Sequence, residues 1–172
     1  MAWPSKEIKT DPSLFGKSYR VRVMPSEKSC GAVIFREGKE RKYLLLHYEG
    51  GHWDFVKGHV ERGETEKDTV LRETQEEVGT TEVSFIEGFR HRIGYYYRRA
   101  GATVFKEVVF YLLESKTDAV RLSREHVGYE WMSYARAYDR LTYKNAKETI
   151  SKAREYLEGL EQGKLGAAKE TS

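Results

Sequence analysis

From Ser29 onward the chain alternates between apolar runs and charged connections. Cys30–Phe35 and Lys42–His47 are β-rich runs, separated by the charged stretch Arg36–Arg41 with Gly38 inside it, which predicts a hairpin. Gly50–Gly51 predicts a turn, Trp53–Val56 a strand fragment and Gly58–Gly63 a loop. Over Thr65–Val78 the period changes. Val70, Leu71, Thr74 and Val78 share one face at helical spacing, and Gly79 supplies a stop. Val83–Tyr97, bent near Gly88 or Gly94, and Thr103–Leu113 then read as strands, followed by a short one at Gly128–Met132. Ala135–Leu141 and Lys144–Leu160 read as helices, the second with Ala146, Ile150, Ala153 and Leu157 on one face. The order of elements predicts an α+β (mixed) fold: a mixed sheet with flanking helices, without the regular alternation of a Rossmann domain.

The ends of the chain differ from its middle. Residues 1–28 hold Pro4, Pro12 and Pro25 and no helical period, and read as an extension. Within it Tyr19, Val21 and Val23 alternate with Arg20 and Arg22, a candidate strand. Residues 161–172 are small and polar and read as a flexible tail, which leaves one domain over 29–160.

Composition narrows the class. With 172 residues, 39% hydrophobic and 33% charged, the chain can bury a single core and is neither collagen-like nor wholly disordered. Its longest apolar run, Val108–Leu113, is too short to cross a bilayer, and Met1–Thr10 has no apolar signal region. The single cysteine, Cys30, permits no internal disulfide and reads as a small buried hydrophobe. A cytoplasmic protein without a membrane partner is expected. Thirty basic and 27 acidic residues give a net charge of +3, too mild to coat nucleic acid, so no stable nucleic-acid partner is expected. The charges are unevenly placed: Glu61–Glu82 is acidic, and Arg90, His91, Arg92, Arg98, Arg99 and Lys106 form a basic region after it.

The acidic segment carries the candidate chemistry. On a helix with Val70 at zero, Glu77 falls near about −20°, Glu73 near about −60° and Glu76 near about −120°. Three carboxylates in one arc repel each other by about 0.2–0.5 kcal/mol per exposed pair, and by more when partly desolvated. A divalent cation reverses that sign, and all-oxygen ligation with open positions suits Mg2+ or Mn2+. Arg72 can neutralise a neighbouring carboxylate, and Glu64 sits before the helix where its dipole favours negative charge. Spacing alone leaves a metal site and a solvated acidic face both open.

The pattern resembles something more definite. Gly58, Glu64 and the run Arg72-Glu73-Thr74-Gln75-Glu76-Glu77-Val78-Gly79 stand at the offsets of a complete Nudix box, with Thr74 and Thr80 where aliphatic residues are frequent. Cys30–Phe35, Leu44–Leu46, His52-Trp53, Lys57–Glu61, Glu87–Phe89, and Leu122–His126 with Trp131 are further similar to the asymmetrical diadenosine tetraphosphate hydrolases, over about residues 29–158. The resemblance implies the Nudix fold, a mixed sheet sandwiched between helices. It also implies hydrolysis of a nucleoside polyphosphate by water attack on phosphorus, here diadenosine tetraphosphate to ATP and AMP.

It assigns roles residue by residue. Glu73, Glu76, Glu77 and the Gly58 carbonyl hold Mg2+ or Mn2+, Glu125 supplies a further acidic group, and Glu73 or Glu76 is the base. Arg72 and Lys57 assist catalysis. His52, Lys57, Arg90 and Lys106 face phosphates, and Tyr95 and Tyr143 stack the base. Trp53 is assigned to packing. The partner is a small nucleotide, and the chain a monomer or weak dimer.

Two departures bear on substrate. Val56 stands where the hydrolases carry Pro, and Tyr95–Arg99 is unusually aromatic and basic. The rivals are diphosphoinositol polyphosphates, RNA 5′ ends and nucleoside triphosphates as substrates, or a non-catalytic nucleotide sensor. An intact set of Glu73, Glu76 and Glu77 argues against a sensor.

Overall fold

A computed structural model describes residues 24–170, with side chains to residue 163. The predicted strand Tyr19–Val23 lies outside the described residues. The elements are β1 (Ser26–Arg36), β2 (Lys42–Tyr48), β3 (Trp53–Asp54), β4 (Val56–His59), α1 (Glu66–Val78), β5 (Val83–Phe85), β6 (His91–Arg99), β7 (Ala102–Ser115), β8 (His126–Met132), α2 (Tyr134–Arg140) and α3 (Lys144–Glu170). The last helix thus continues past its predicted end at Leu160.

The eight strands form one mixed sheet. At its centre β1 runs parallel to β7, from Ser26 opposite Phe105 to Phe35 opposite Glu114. The predicted β1–β2 hairpin exists only at its tip, where Phe35 and Arg36 pair with Tyr43 and Lys42. Farther back β4 takes the place beside β1, pairing Ser29–Ala32 with His59–Val56. This corrects the loop predicted to begin at Gly58: Gly58 and His59 belong to a strand, so Lys57 and Gly58 are held by the sheet. Gly31 makes the insertion possible, since a Cβ there would collide with the Val56 carbonyl.

Val83–Tyr97 is two strands rather than one bent strand. β5 and β6 pair antiparallel with different stretches of β7. Between them Gly88 takes φ +88°, and the Tyr156 hydroxyl, donating to the Glu87 carbonyl at 2.7 Å, fills the space a Cβ would need.

The pleat sorts the core into two layers. Cys30, Ala32, Ile34, Leu44, Leu46, Val109 and Leu113 pack toward α1 with Val70 and Val78. Val33, Phe35, Tyr43, Leu45, Val108, Phe110 and Leu112 pack on the opposite face, with Ala137 of α2 and Ala146, Ile150, Ala153 and Leu157 of α3. Central strands covered on both faces read as continuous apolar runs, as they do here, and the sandwich of sheet between helices follows. Cys30 is fully buried, which pushes its thiol up to about 11.

Local chemistry sets the ends of α1. The Thr65 hydroxyl accepts the Asp68 N–H while Asp68 accepts the Thr65 N–H, a reciprocal cap. Gly79 closes the helix at φ +75°, its N–H on the Gln75 carbonyl. The buried residues are Thr69, Val70, Glu73, Thr74, Glu77 and Val78. They span about −100° to +80° on the wheel, so the buried arc is centred near Glu77. Leu71, predicted to face the core, lies just outside that arc and is 44% exposed.

Candidate active site

α1 lies against β4, and this contact builds the site. The Lys57 N–H donates to Glu77 at 3.3 Å. Glu73 lies against the bare Cα of Gly58, where an added Cβ would overlap its carboxylate. Arg72 organises the cluster. It donates to both oxygens of Glu64 (2.6 and 3.0 Å), to Glu73 at 2.7 Å, to Glu76 at 3.3 Å and to the His59 carbonyl at 2.9 Å. Glu64 also accepts from the Thr69 hydroxyl and the Glu61 N–H. Chiefly through Arg72, its carboxyl is held down to about 2. Glu64 therefore anchors Arg72, which leaves the other carboxylates to line the cleft.

Those carboxylates are held under tension. Burial pushes Glu77 up to about 8, with Lys57 opposing and the charges of Glu73 and Glu125 adding to the rise. Burial also raises Glu73, against Arg72, with Glu76 and Glu125 pushing the same way as burial. Glu76 keeps 59% of its side chain in solvent. Glu125 reaches the same cleft, of about 520 Å3, from the segment before β8.

Beside this cleft lies a cavity of about 470 Å3 between β6, β7 and the start of α3, lined by Tyr95, Tyr143, Asn145 and Asp54. His52 and Lys57 line both spaces. His52 stacks on Tyr48 at 4.6 Å with ring planes 8° apart, and the tilted Tyr143 ring sits 5.4 Å from it. The Lys57 ammonium is 2.9 Å from Asp54 and 4.5 Å above the Tyr48 ring. Lys57 is thus fixed at the mouth between the two spaces.

Of the residues expected at the site, Gly58, Glu73, Glu76, Glu77, Arg72, Lys57, His52, Lys106 and Glu125 meet around the cleft, and Tyr95 and Tyr143 meet in the cavity. Lys106 is half-buried there, and burial lowers its pKa. Arg90 lines neither space. It pairs with Glu66 at the start of α1, at 2.7 and 2.8 Å. The rest of the basic region is largely engaged as well, with Arg99 on Glu27 and Arg92 on Glu107. Trp53 stacks on His47 and under Arg140, a packing role. Sequence reasoning missed Asp54, Tyr48, Ser29 and His126. Asp54 left a trace as an acid three residues before Lys57, and His126 as the last residue of the similar stretch Leu122–His126.

The donor set fits a hard divalent cation. Five glutamates line one cleft, and two of them, Glu73 and Glu77, are raised by burial and by neighbouring carboxylates. Ser29 Oγ, which lines the cleft, and His126 Nε2, 3.8 Å from Glu77, are buried without a hydrogen-bond partner. Among the described residues no three or more His, Cys, Asp or Glu side chains are grouped closely enough to hold a metal ion as they stand, with Glu73 held by Arg72.

A family model described as NUDIX domain matches residues 25–153. The chain is 34% identical to the asymmetrical bis(5′-nucleosyl)-tetraphosphatase of Mus musculus over 143 residues, 76% of this chain and 95% of that protein. It is 36% identical to the same enzyme of Sus scrofa, with equal coverage. The solved structure of a C. elegans Ap4A hydrolase binary complex superposes with a TM-score of 0.69 at 29% identity, covering 77% of this chain and 98% of that one.

Proposed function

The chain belongs to the Nudix family and is a hydrolase, and we propose that it cleaves diadenosine tetraphosphate asymmetrically to ATP and AMP. The observation that carries this reading is the wall of His52 and Lys57 shared by the carboxylate cleft and the aromatic cavity. A nucleoside in the cavity delivers its phosphate chain past Lys57 to the carboxylates.

Nudix hydrolases are divalent-metal dependent. Here Glu73, Glu76, Glu77, Glu125 and the Gly58 carbonyl would hold Mg2+ or Mn2+. When bound, the cation polarises phosphoryl oxygens and lowers the pKa of a coordinated water.

The chain's own groups do the rest. Tyr143 and Tyr95 stack the adenine, a contact worth about 1–3 kcal/mol. Lys57, His52 and Lys106 contact the phosphates, and Lys57 and Lys106 neutralise them. Arg72 fixes the rotamer of Glu73 through its anchor on Glu64. Water oxygen bonds to phosphorus while a bridging P–O bond breaks and its electron pair leaves on the departing nucleotide. The water proton goes to Glu76 or Glu73, with Glu76 the less restrained of the two.

With this reading go a cytoplasmic setting, a small-molecule partner, and a monomer or weak dimer. Among the described residues no helix is long and apolar enough to span a membrane. The engaged arginines of the basic region give the polyanion rivals little support.

The test is incubation with diadenosine tetraphosphate and Mg2+, followed by nucleotide separation, with Glu76→Gln in parallel. Equal ATP and AMP, lost in the variant, is the expected result. Two ADP would mean symmetrical cleavage and refutes the asymmetrical mechanism, whereas no turnover refutes the substrate assignment.

A further inference from the structure

His126 opens β8 with its side chain wholly enclosed. The ring stands edge-on to Tyr48, 4.4 Å between centroids. Its Nδ1 lies 2.9 Å from the Ser123 hydroxyl. Its Nε2 has no hydrogen-bond partner, and Glu77 Oε1 stands 3.8 Å from it, beyond hydrogen-bond range.

The Ser123 hydroxyl can donate its hydrogen to Nδ1 while its oxygen accepts the Glu125 N–H at 3.4 Å, an arrangement that satisfies both groups. Nε2 then carries the ring's N–H. With Glu77 ionised, the form that holds a cation, the opposite tautomer would set a bare lone pair against its carboxylate. The same segment is tied to the end of α1, because the Ser123 N–H donates to the Glu77 carbonyl at 3.2 Å. One short segment therefore places Glu125 at the cleft and a buried donor behind Glu77.

We propose that His126 is a positioning residue whose Nε2–H closes onto Glu77 Oε1 and fixes that carboxylate for the cation, with Ser123 selecting the tautomer. The proposal rests on the reading of Glu77 as a cation ligand. Hydrogen-bonded partners behind ligating groups commonly set metal affinity within one to two orders of magnitude.

The test is calorimetric Mn2+ titration of the full chain without nucleotide. His126→Phe should bind Mn2+ about 10- to 100-fold more weakly. His126→Gln, whose amide nitrogen can occupy the Nε2 position, should recover most of that loss. Wild-type affinity in His126→Phe overturns the proposal, and so does equal loss in both variants at matched metal-free melting temperatures. Should His126→Phe not fold, 15N spectra of the wild-type imidazole decide. A proton on Nε2 whose shift moves on adding Mg2+ supports the proposal, and a proton on Nδ1 refutes it. Glu77→Gln separates the two levels: normal Mn2+ binding there removes the ligand reading itself, whereas loss there without loss in His126→Phe removes only the positioning role.

Discussion

Replacing Gly58 by Ala should separate activity from stability. Gly58 is a strand residue outside the left-handed region, so alanine meets no backbone strain. The added Cβ would overlap Oε1, Cδ and Oε2 of Glu73, the far end of a flexible side chain. To regain ordinary contact, the carboxylate must swing away by about 1.5 Å. The swing breaks the 2.7 Å bond from Arg72, a loss of about 1 kcal/mol of stability. A displacement of about 1 Å in a reacting constellation costs about 100-fold in rate, so kcat/KM should fall by at least about that factor. The assay pairs a urea midpoint with kcat/KM at saturating Mg2+. The double variant Gly58→Ala/Glu73→Ala should be little worse than Glu73→Ala, because both changes remove one group from one place. Near-wild-type turnover in Gly58→Ala, or fully additive losses, would falsify the placement of Glu73 against Gly58.

Four further outcomes are expected. In EDTA the folded chain keeps a proton on Glu77 up to about 8, whereas the unfolded chain releases it near 4.5. This group's contribution to stability is therefore complete below pH 4.5 and is lost as pH rises through 8. Urea midpoints at pH 5 and pH 8 should show that decline flattened by Glu77→Gln, and an unchanged slope in the variant argues against a buried, protonated Glu77. Lys57→Met leaves Asp54 buried without its cation and should destabilise by about 3–5 kcal/mol. Adding Asp54→Leu should restore most of that loss, and a single-variant effect under about 1 kcal/mol would show the pair to be solvated. Tyr143→Ala, at a half-exposed ring, should leave the melting temperature unchanged and raise KM by about 5- to 150-fold. Arg90→Ala should leave KM unchanged, and the reverse pattern would exchange the two residues' roles.

The sequence by itself determined the features that depend on neighbours within a turn or two of the chain. The helix with Glu73, Glu76 and Glu77 on one side, the Thr65 start and the Gly79 stop follow from spacing and capping, because helical contacts reach only three or four residues. The apolar runs that became β1 and β7 were equally plain, since both faces of a central strand are buried. The sequence motif therefore located the carboxylate side of the site.

Tertiary structure decided what depends on register between distant segments. No local pattern says that β4 enters beside β1, and that insertion sets Gly58 against Glu73 and Lys57 beside Asp54. Nor does it say how far α1 turns toward the sheet, which buried Glu77 and left Leu71 outside. Arg90 shows the same limit, because its charge was legible but its pairing with Glu66 was not. The aromatic cavity draws His52 from the β2–β3 connection, Tyr95 from β6 and Tyr143 from the α2–α3 connection. Their meeting is a property of sheet order and helix docking, long-range choices that the chain makes only when its core is buried.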